Sequence, residues 1–404
     1  MGLRKSGHFL TLMMLYLVTL IMRASFYVTI AVISSDAYMS GVLQGWGVAV
    51  VLAIYPVSEL STVSFFGSYS DKIGRKPIFV ASLFMTGFAA FMFGIATFEF
   101  LAYILAIVFG LGAASQVTST LSIIADASSE TNRARLMGYY DLSTLAGLAG
   151  GFGLGIILLE FGLAPNILLF AAAGACTVSG ILAVILIKET RVVSETDEVS
   201  MTHLLKEVAT DRRIQLMLPV YVPIISLYGI MISKLKQIIE DYFSLTATDM
   251  LILFAMLGVS LLLGIIVMGH LSDYLMKRRP FIVAGLIGFG LLSYILVANA
   301  NQFELVWSIW PALPILGFIS GSFPPAAMAY LTDISSEEAR GSTMGVYSIF
   351  FGSGMIIGPF AAEVAYQMGG LFPGLAILVA ALIAIACIGT YFLKEAAPVM
   401  AKVD

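Results

Sequence analysis

The sequence predicts an all-α membrane protein of twelve transmembrane helices arranged as two pseudo-symmetric six-helix bundles. Three observations predict it. Charge is scarce and comes in short bursts between apolar segments; those segments are long enough to cross a bilayer; and the second half of the chain repeats the first. Of 404 residues, 59% are hydrophobic and 11% charged, against roughly a quarter charged in soluble domains.

Twelve apolar segments can be drawn: 9–33, 43–66, 78–97, 101–125, 136–159, 165–187, 215–239, 250–270, 281–299, 306–330, 342–366 and 373–393. They are numbered below as spans 1 to 12, and the edges of span 10 are soft around Pro311 and Pro314. About 20 apolar residues cross the ~30 Å hydrocarbon layer as a helix. Lipid cannot satisfy backbone N–H and C=O groups, so an isolated span must be helical. The alternating ten-residue strands of a membrane barrel are nowhere seen. The N-terminal apolar run is too long and too poorly terminated for a cleaved signal peptide. MGLRKS fits an acylation pattern, but twelve spans gain nothing from one acyl anchor.

Basic residues set the orientation. Eighteen of the 21 Lys and Arg lie at the two ends or in every second loop, and the three others, Arg23, Lys234 and Lys236, fall inside drawn spans. The opposite loops carry acids only. By the positive-inside rule both termini are cytoplasmic, which requires an even number of spans, and the expected location is the plasma membrane.

Residues 188–213 hold 11 charges in 26 positions. They divide the chain into an N-terminal bundle (1–187), a cytoplasmic linker (188–213) and a C-terminal bundle (214–404). ADASSETNRARLMG (125–138) aligns without a gap with TDISSEEARGSTMG (332–345). Asp126, Arg133 and Gly138 thus answer Asp333, Arg340 and Gly345, and further on Gly147 and Gly151 answer Gly354 and Gly358. GSYSDKIGRKP (67–77) recurs more weakly as GHLSDYLMKRRP (269–280), with one residue inserted. Such a repeat is expected of two bundles related by an axis along the membrane normal.

GSYSDKIGRK fits, position by position, the signature G-x-x-x-D-[RK]-x-G-[RK]-[RK] between spans 2 and 3 of the major facilitator superfamily, and with the twelve spans, the 6+6 repeat and the charged central linker the chain resembles that family over nearly its whole length. The resemblance implies a secondary transporter working by alternating access. It also implies that Asp71 faces the N-terminal end of span 11, that Arg75 pairs with Asp126, and that Arg133 joins them. By the repeat, Asp273, Arg278, Asp333 and Arg340 form the mirror set. These clusters read as latches between the halves. Topology alone explains basic residues in a loop but not Asp71, Gly67 or Gly74. Gly67 suits close helix approach, and Gly74 suits a turn of unusual dihedrals. Gly147, Gly151 and Gly155, with Gly354 and Gly358, offer small faces for sliding helices or for plain bundle packing. The Gly-Pro pair that antiporters of the family often carry in span 5 is Gly151-Phe152 here, while span 11 has Gly358-Pro359.

An ionisable residue at mid-membrane costs at least ~2.5–3.5 kcal/mol unless it meets water or a partner. Arg23 lies deep in span 1 with Thr19 and Tyr27 one turn away on the same face. It reads as a cavity cation for an anionic substrate group, or as half of a structural ion pair. Glu59, with Tyr55 one turn before it, and Asp141 are acids at similar depth and, with Arg23, a proton-switchable network. Glu363 in span 11 is a further proton-coupling candidate. Gln116, with Ser115, Thr118 and Ser119, makes a polar stripe fit for a cavity wall. Lys234 and Lys236 are placed to snorkel. Pro311, Pro314, Pro324 and Pro325 imply a broken span 10. His270 reads as topological. Cys176 and Cys387 read as small packing residues, not as a disulfide or metal pair.

The chain has no P-loop, no metal-ligand spacing and three scattered His, so no enzymatic activity, cofactor, metal or nucleic-acid partner is expected. The expected partners are a small-molecule substrate, protons and membrane lipids, and the expected state is a monomer. A proton-coupled symporter of a small organic anion, with Arg23, Tyr27, Tyr55 and Gln116 at the substrate, is the first reading. A proton-linked exporter of drugs or lipid-like amphiphiles is the second, and a non-transporting sensor on the same fold the third.

Overall fold

The computed structural model describes residues 2–35, 38, 41–43, 46–127, 133–190, 210, 212–238, 247–298, 308–334 and 340–395. The side chains of Asp71, Arg133, Asp141, Lys236 and Arg340 lie outside the described residues. The first half forms α1 (Gly2–Ile33), α2 (Gly47–Ile73), α3 (Arg75–Ile95), α4 (Glu99–Ala127), α5 (Arg133–Glu160) and α6 (Pro165–Leu186). The second forms α7 (Arg212–Ile238), α8 (Ala247–Leu275), α9 (Arg279–Ala298), α10 (Ala312–Ser320), α11 (Phe323–Ile334), α12 (Arg340–Gly369) and, after a π-helical turn at Gly370–Leu375, α13 (Ala376–Phe392). Spans 1 to 9 are α1 to α9; span 10 is α10 with α11, span 11 is α12, and span 12 is the π turn with α13. No strand occurs among the described residues.

Among those residues, ten helical stretches are long and apolar enough to cross a membrane. One of them, Ile349–Phe392, is 44 residues long and holds the last two spans, since Phe372 breaks the helical backbone between them. Gly47–Val63 of α2 is a shorter apolar stretch, with Glu59 inside it. Together these make the twelve spans. Outward-facing Phe84, Phe88 and Phe91 on α3, Val178, Ile181 and Ile185 on α6, and Val259, Leu263 and Ile266 on α8 are exposed. Such apolar stripes need lipid to cover them.

The charged segment 67–77 is not a loop. Helix α2 continues through Ile73, and Gly74 alone, at φ +126, joins it to Arg75 at the start of α3. A non-glycine residue rarely adopts that conformation. In the second half the same joint takes three residues, and Met276 stands at φ +51. Span 10 breaks at Gly321–Ser322. Its prolines stand at or just before helix starts, where a missing N–H costs nothing.

The chain forms two compact units, Met1–Glu198 and Val199–Asp404. Both follow one packing scheme. In the first unit α1 packs on α5 and α6, α2 on α4, and α3 on α4 and α6. In the second α7 packs on α12 and α13, α8 on α10, and α9 on α10 and α13. The glycine faces act inside each unit. A Cβ on Gly147 would stand 2.6 Å from Arg23 Cβ, and one on Gly151 would stand 2.6 Å from Ala24 Cα. On α12, a Cβ at Gly354 would meet Ile225 and one at Gly358 would meet Ser226. Plain packing thus accounts for them. Among the described residues nothing lies within 4 Å of the Gly67 Cβ position. Cys176 is buried as expected, and Cys387 is exposed on α13.

Candidate functional site

Helix α1 buries Arg23 to 6% exposure because Gly147 lets α5 press against its Cβ. The guanidinium lies 6.0 Å from the centroid of the Phe26 ring. Tyr140 of α5 hydrogen-bonds it, and Glu59 of α2 and Tyr27 are its other electrostatic neighbours. Arg23 Nε has no hydrogen-bond partner among the described residues. Phe26 stacks on Phe109 of α4, with ring centroids 4.0 Å apart, and meets Tyr27 and Tyr55 edge to face at 5.4 Å. Tyr55 and Tyr27 are buried. The first unit therefore holds one acid, one base, three tyrosines and two stacked phenylalanines in a single cluster. Helix α2 is brought to it by Gly110 of α4, which lies against the backbone of Tyr55 and Glu59, and by the Ser58 hydroxyl donating to Ile107 O at 3.0 Å.

Gln116 lies one turn along. Its amide donates to Thr120 Oγ1 at 3.0 Å and reaches Thr19 Oγ1 at 3.5 Å, while its Oε1 finds no partner among the described residues. Ser115, Thr118 and Ser119 donate to carbonyls of their own helix. With Gln116, Ser115 and Ser119 buried, this stripe faces into the unit and is not an open wall.

Lys234 does not snorkel. It is buried, and its Nζ lies 2.7 Å from Glu363 Oε2 and 4.7 Å from the centre of the Tyr366 ring. Gln367 donates to the other carboxylate oxygen at 3.0 Å. The pair ties α7 to α12.

At the charged joints, Arg75 Nε lies 3.3 Å from Asp126 Oδ2, and its Nη1 donates to Ser70 Oγ at 3.0 Å. Arg278 Nε lies 3.0 Å from Asp333 Oδ2, and its Nη1 bonds Ser272 at 3.1 Å and Asp273. Burial opposes the Arg278 charge, but hydrogen bonds and charges from Asp273 and Asp333 outweigh it and raise its pKa above the ordinary value. Each described pair joins helices of one unit. His270 bonds the carbonyl of Ile266 on its own helix.

The shared packing scheme makes each half a reference for the other. Gly147 meets Arg23 where Gly354 meets Ile225, and Gly110 meets Ser58 where Gly317 meets Ser260. Arg23 thus corresponds to Ile225 and Glu59 to Leu261. By the same registers, Lys234 and Glu363 correspond to Val32 and Ile156, both fully buried.

The sequence profile of the Major Facilitator Superfamily matches residues 12–235 and 217–403. The chain belongs to that superfamily. As a major facilitator it is a multi-pass membrane transporter. It is 21% identical over 346 residues to multidrug resistance protein 2 of Bacillus subtilis (strain 168), covering 83% of each chain. It is 28% identical over 345 residues to the class G tetracycline resistance protein of Vibrio anguillarum, covering 84% of this chain and 85% of that one. Among solved structures it superposes on the nucleoside transporter NupG with a TM-score of 0.71 at 12% identity, covering 94% of this chain and 98% of that chain. This major facilitator also matches a bacterial homologue of the human lysosomal transporter Spinster at TM-score 0.70 and 14% identity, with 96% of each covered.

Sequence reasoning missed Tyr140, Phe26 and Phe109. Tyr140 stands seven residues before Gly147, two turns along the same face of α5, so the face that meets α1 carries it to Arg23. The phenylalanines are ordinary apolar residues in sequence, and only the fold brings them together.

Proposed function

We propose that this major facilitator is a proton-linked exporter of lipophilic, ring-containing compounds that carry an acidic group. One observation carries the reading: buried Arg23 and half-buried Glu59 stand at positions where the second unit, with the same packing scheme, has Ile225 and Leu261. The scaffold does not require charge there, and replacing buried ion pairs by apolar residues is often neutral or stabilising. A charge retained against that tendency suits a substrate anion at Arg23, packed against Phe26, Tyr27 and Tyr55. Glu59 exchanges a proton as the anion replaces it beside Arg23, and Tyr140 holds the guanidinium in place. Asp141 and Glu363 are auxiliary proton carriers. The names of the relatives, multidrug and tetracycline resistance proteins, support export. The basic residues support termini in the cytoplasm and a plasma-membrane location. The protein works as a monomer among membrane lipids, the linker 188–213 joins the two bundles, and the charged joints serve the switch between open states.

The test uses the full chain in proteoliposomes with an acid interior. Tetracycline, which has four fused rings and an ionisable tricarbonyl group, is the probe. Wild type should accumulate it as protons leave, and Arg23→Leu and Glu59→Gln should each lower the rate at least about tenfold, the loss expected for removing one charged contact. Equal uptake by Arg23→Leu would refute the site. The buried cation also favours a second reading, symport of a small organic acid. Benzoate uptake along with inward proton flow, and no tetracycline uptake, would establish that instead.

A further inference from the structure

The tails of α6 and α13 make the same contact in both units. Glu189, just after α6, accepts hydrogen bonds from two backbone N–H groups, Arg75 at 2.9 Å and Lys76 at 3.1 Å. Glu395, just after α13, accepts from the N–H groups of Arg278 and, at 3.2 Å, Arg279. Arg75, Lys76 and Arg279 lie in a first turn and Arg278 stands just before α9; such N–H groups have no partner inside their own helices, and a carboxylate there also meets the positive end of the helix dipole. The side chains complete the contact in reverse. Lys76 Nζ donates to Val184 O at 2.6 Å, and Arg279 Nε donates to Thr390 O at 3.1 Å, each at the C-terminal turn of the helix whose tail supplies the acid. Thr190 beside Glu189 donates to Asp126 Oδ2 at 3.2 Å, the oxygen that Arg75 meets. Beside Glu395, Lys394 O accepts from the Tyr330 hydroxyl at 2.8 Å. Lys188-Glu189 and Lys394-Glu395 stand 206 positions apart in the repeat.

A capping bond made once is a local convenience. Here it is made twice, from an acid distant in sequence, to the residue whose side chain forms the ion pair. We propose that Glu189 and Glu395 are positioning residues for transport. Each fixes the first turn of α3 or α9, so that Arg75 stays on Asp126 and Arg278 on Asp333 while the bundles change state. This rests on the reading that the charged joints serve the transport cycle. Glu189 also occupies the space a Cβ on Gly74 would take, 2.6 Å from its Oε2. The joint therefore accommodates both the turn and the carboxylate only with glycine there.

Three measurements on the purified full chain test it. Backbone hydrogen exchange at Arg75 and Lys76 should accelerate at least about tenfold in Glu189→Ala and not in Glu395→Ala, with the converse at Arg278 and Arg279. Gln variants, which keep one accepting oxygen, provide the same comparison should Ala fail to fold. In double-mutant cycles read by thermal unfolding, Glu189→Gln should be non-additive with Asp126→Asn and additive with Asp333→Asn, and Glu395→Gln the reverse. In proteoliposomes, either Gln variant should lower tetracycline turnover at least about fivefold with KM within about twofold of wild type. Unchanged exchange, additivity within one half, or wild-type turnover each overturns the proposal. Failure of wild type to carry tetracycline would count against the substrate reading alone, and the exchange and cycle results would still decide this one.

Discussion

Replacing Lys234 by Met leaves Glu363, among the described residues, with the Gln367 amide as its remaining hydrogen-bond partner. At 2.7 Å and an effective dielectric near 20, the attraction removed is about 6 kcal/mol before desolvation is counted. Desolvation of two ions opposes most of that, so the net effect of losing one partner is about 3–5 kcal/mol for a fully buried pair. The two side chains keep 11% and 12% exposure, which places the expected loss at the lower end, about 3 kcal/mol. The double variant Lys234→Met, Glu363→Met removes both ions and should recover to within about 1 kcal/mol of wild type. Val32 and Ile156 already fill the corresponding positions in the first unit without charge. Thermal unfolding in detergent, followed by a thiol-reactive dye on buried Cys176, reads the effect; Cys387 is exposed and must first be changed to Ser. If the single variant is as stable as wild type, or the double variant loses the sum of both singles, the pair is not the clasp described here.

Three further outcomes follow from backbone geometry. Gly151→Leu should lower stability by at least about 3 kcal/mol, seen as loss of monodisperse protein on gel filtration, because its Cβ would fall 2.6 Å from Ala24 Cα and force α1 from α5. Gly67→Ala should stay within about 0.5 kcal/mol of wild type in the same thermal assay, since no described residue lies within 4 Å of its Cβ position. Gly74→Ala should cost about 1–3 kcal/mol, from the φ of +126 and from displacing Glu189, and it should speed exchange at Arg75 as Glu189→Ala does.

The spans were legible because a bilayer forces long apolar runs to be helices, whatever their partners. The break in span 10 was legible from its prolines. The joint between α2 and α3 was half legible. Its charges read as loop, yet charged side chains at a membrane edge reach water from a helix, and one glycine dihedral ends α2. Lys234 was misread because its partner lies 129 residues away and no local pattern reveals it. The Arg23 cluster was visible as isolated charges; its aromatic floor and Tyr140 depend on α1, α2, α4 and α5 meeting at one depth.

Comparing the halves separates two kinds of charge. Arg75 with Asp126, Arg278 with Asp333, and the two capping glutamates exist in both units with the same partners. A repeated unit keeps in both copies what each copy needs, so these contacts belong to the working of a single bundle. Arg23 with Glu59, and Lys234 with Glu363, are each opposed by apolar residues in the other copy, although both copies follow one helix-packing scheme. Packing therefore does not account for them. A transporter built from two like bundles must still handle its solute at particular atoms, and in the function proposed above the unequal charges provide those atoms. If exchanging Arg23 and Glu59 for Ile and Leu left transport intact, the unequal charges would be remnants and the cargo would be held elsewhere.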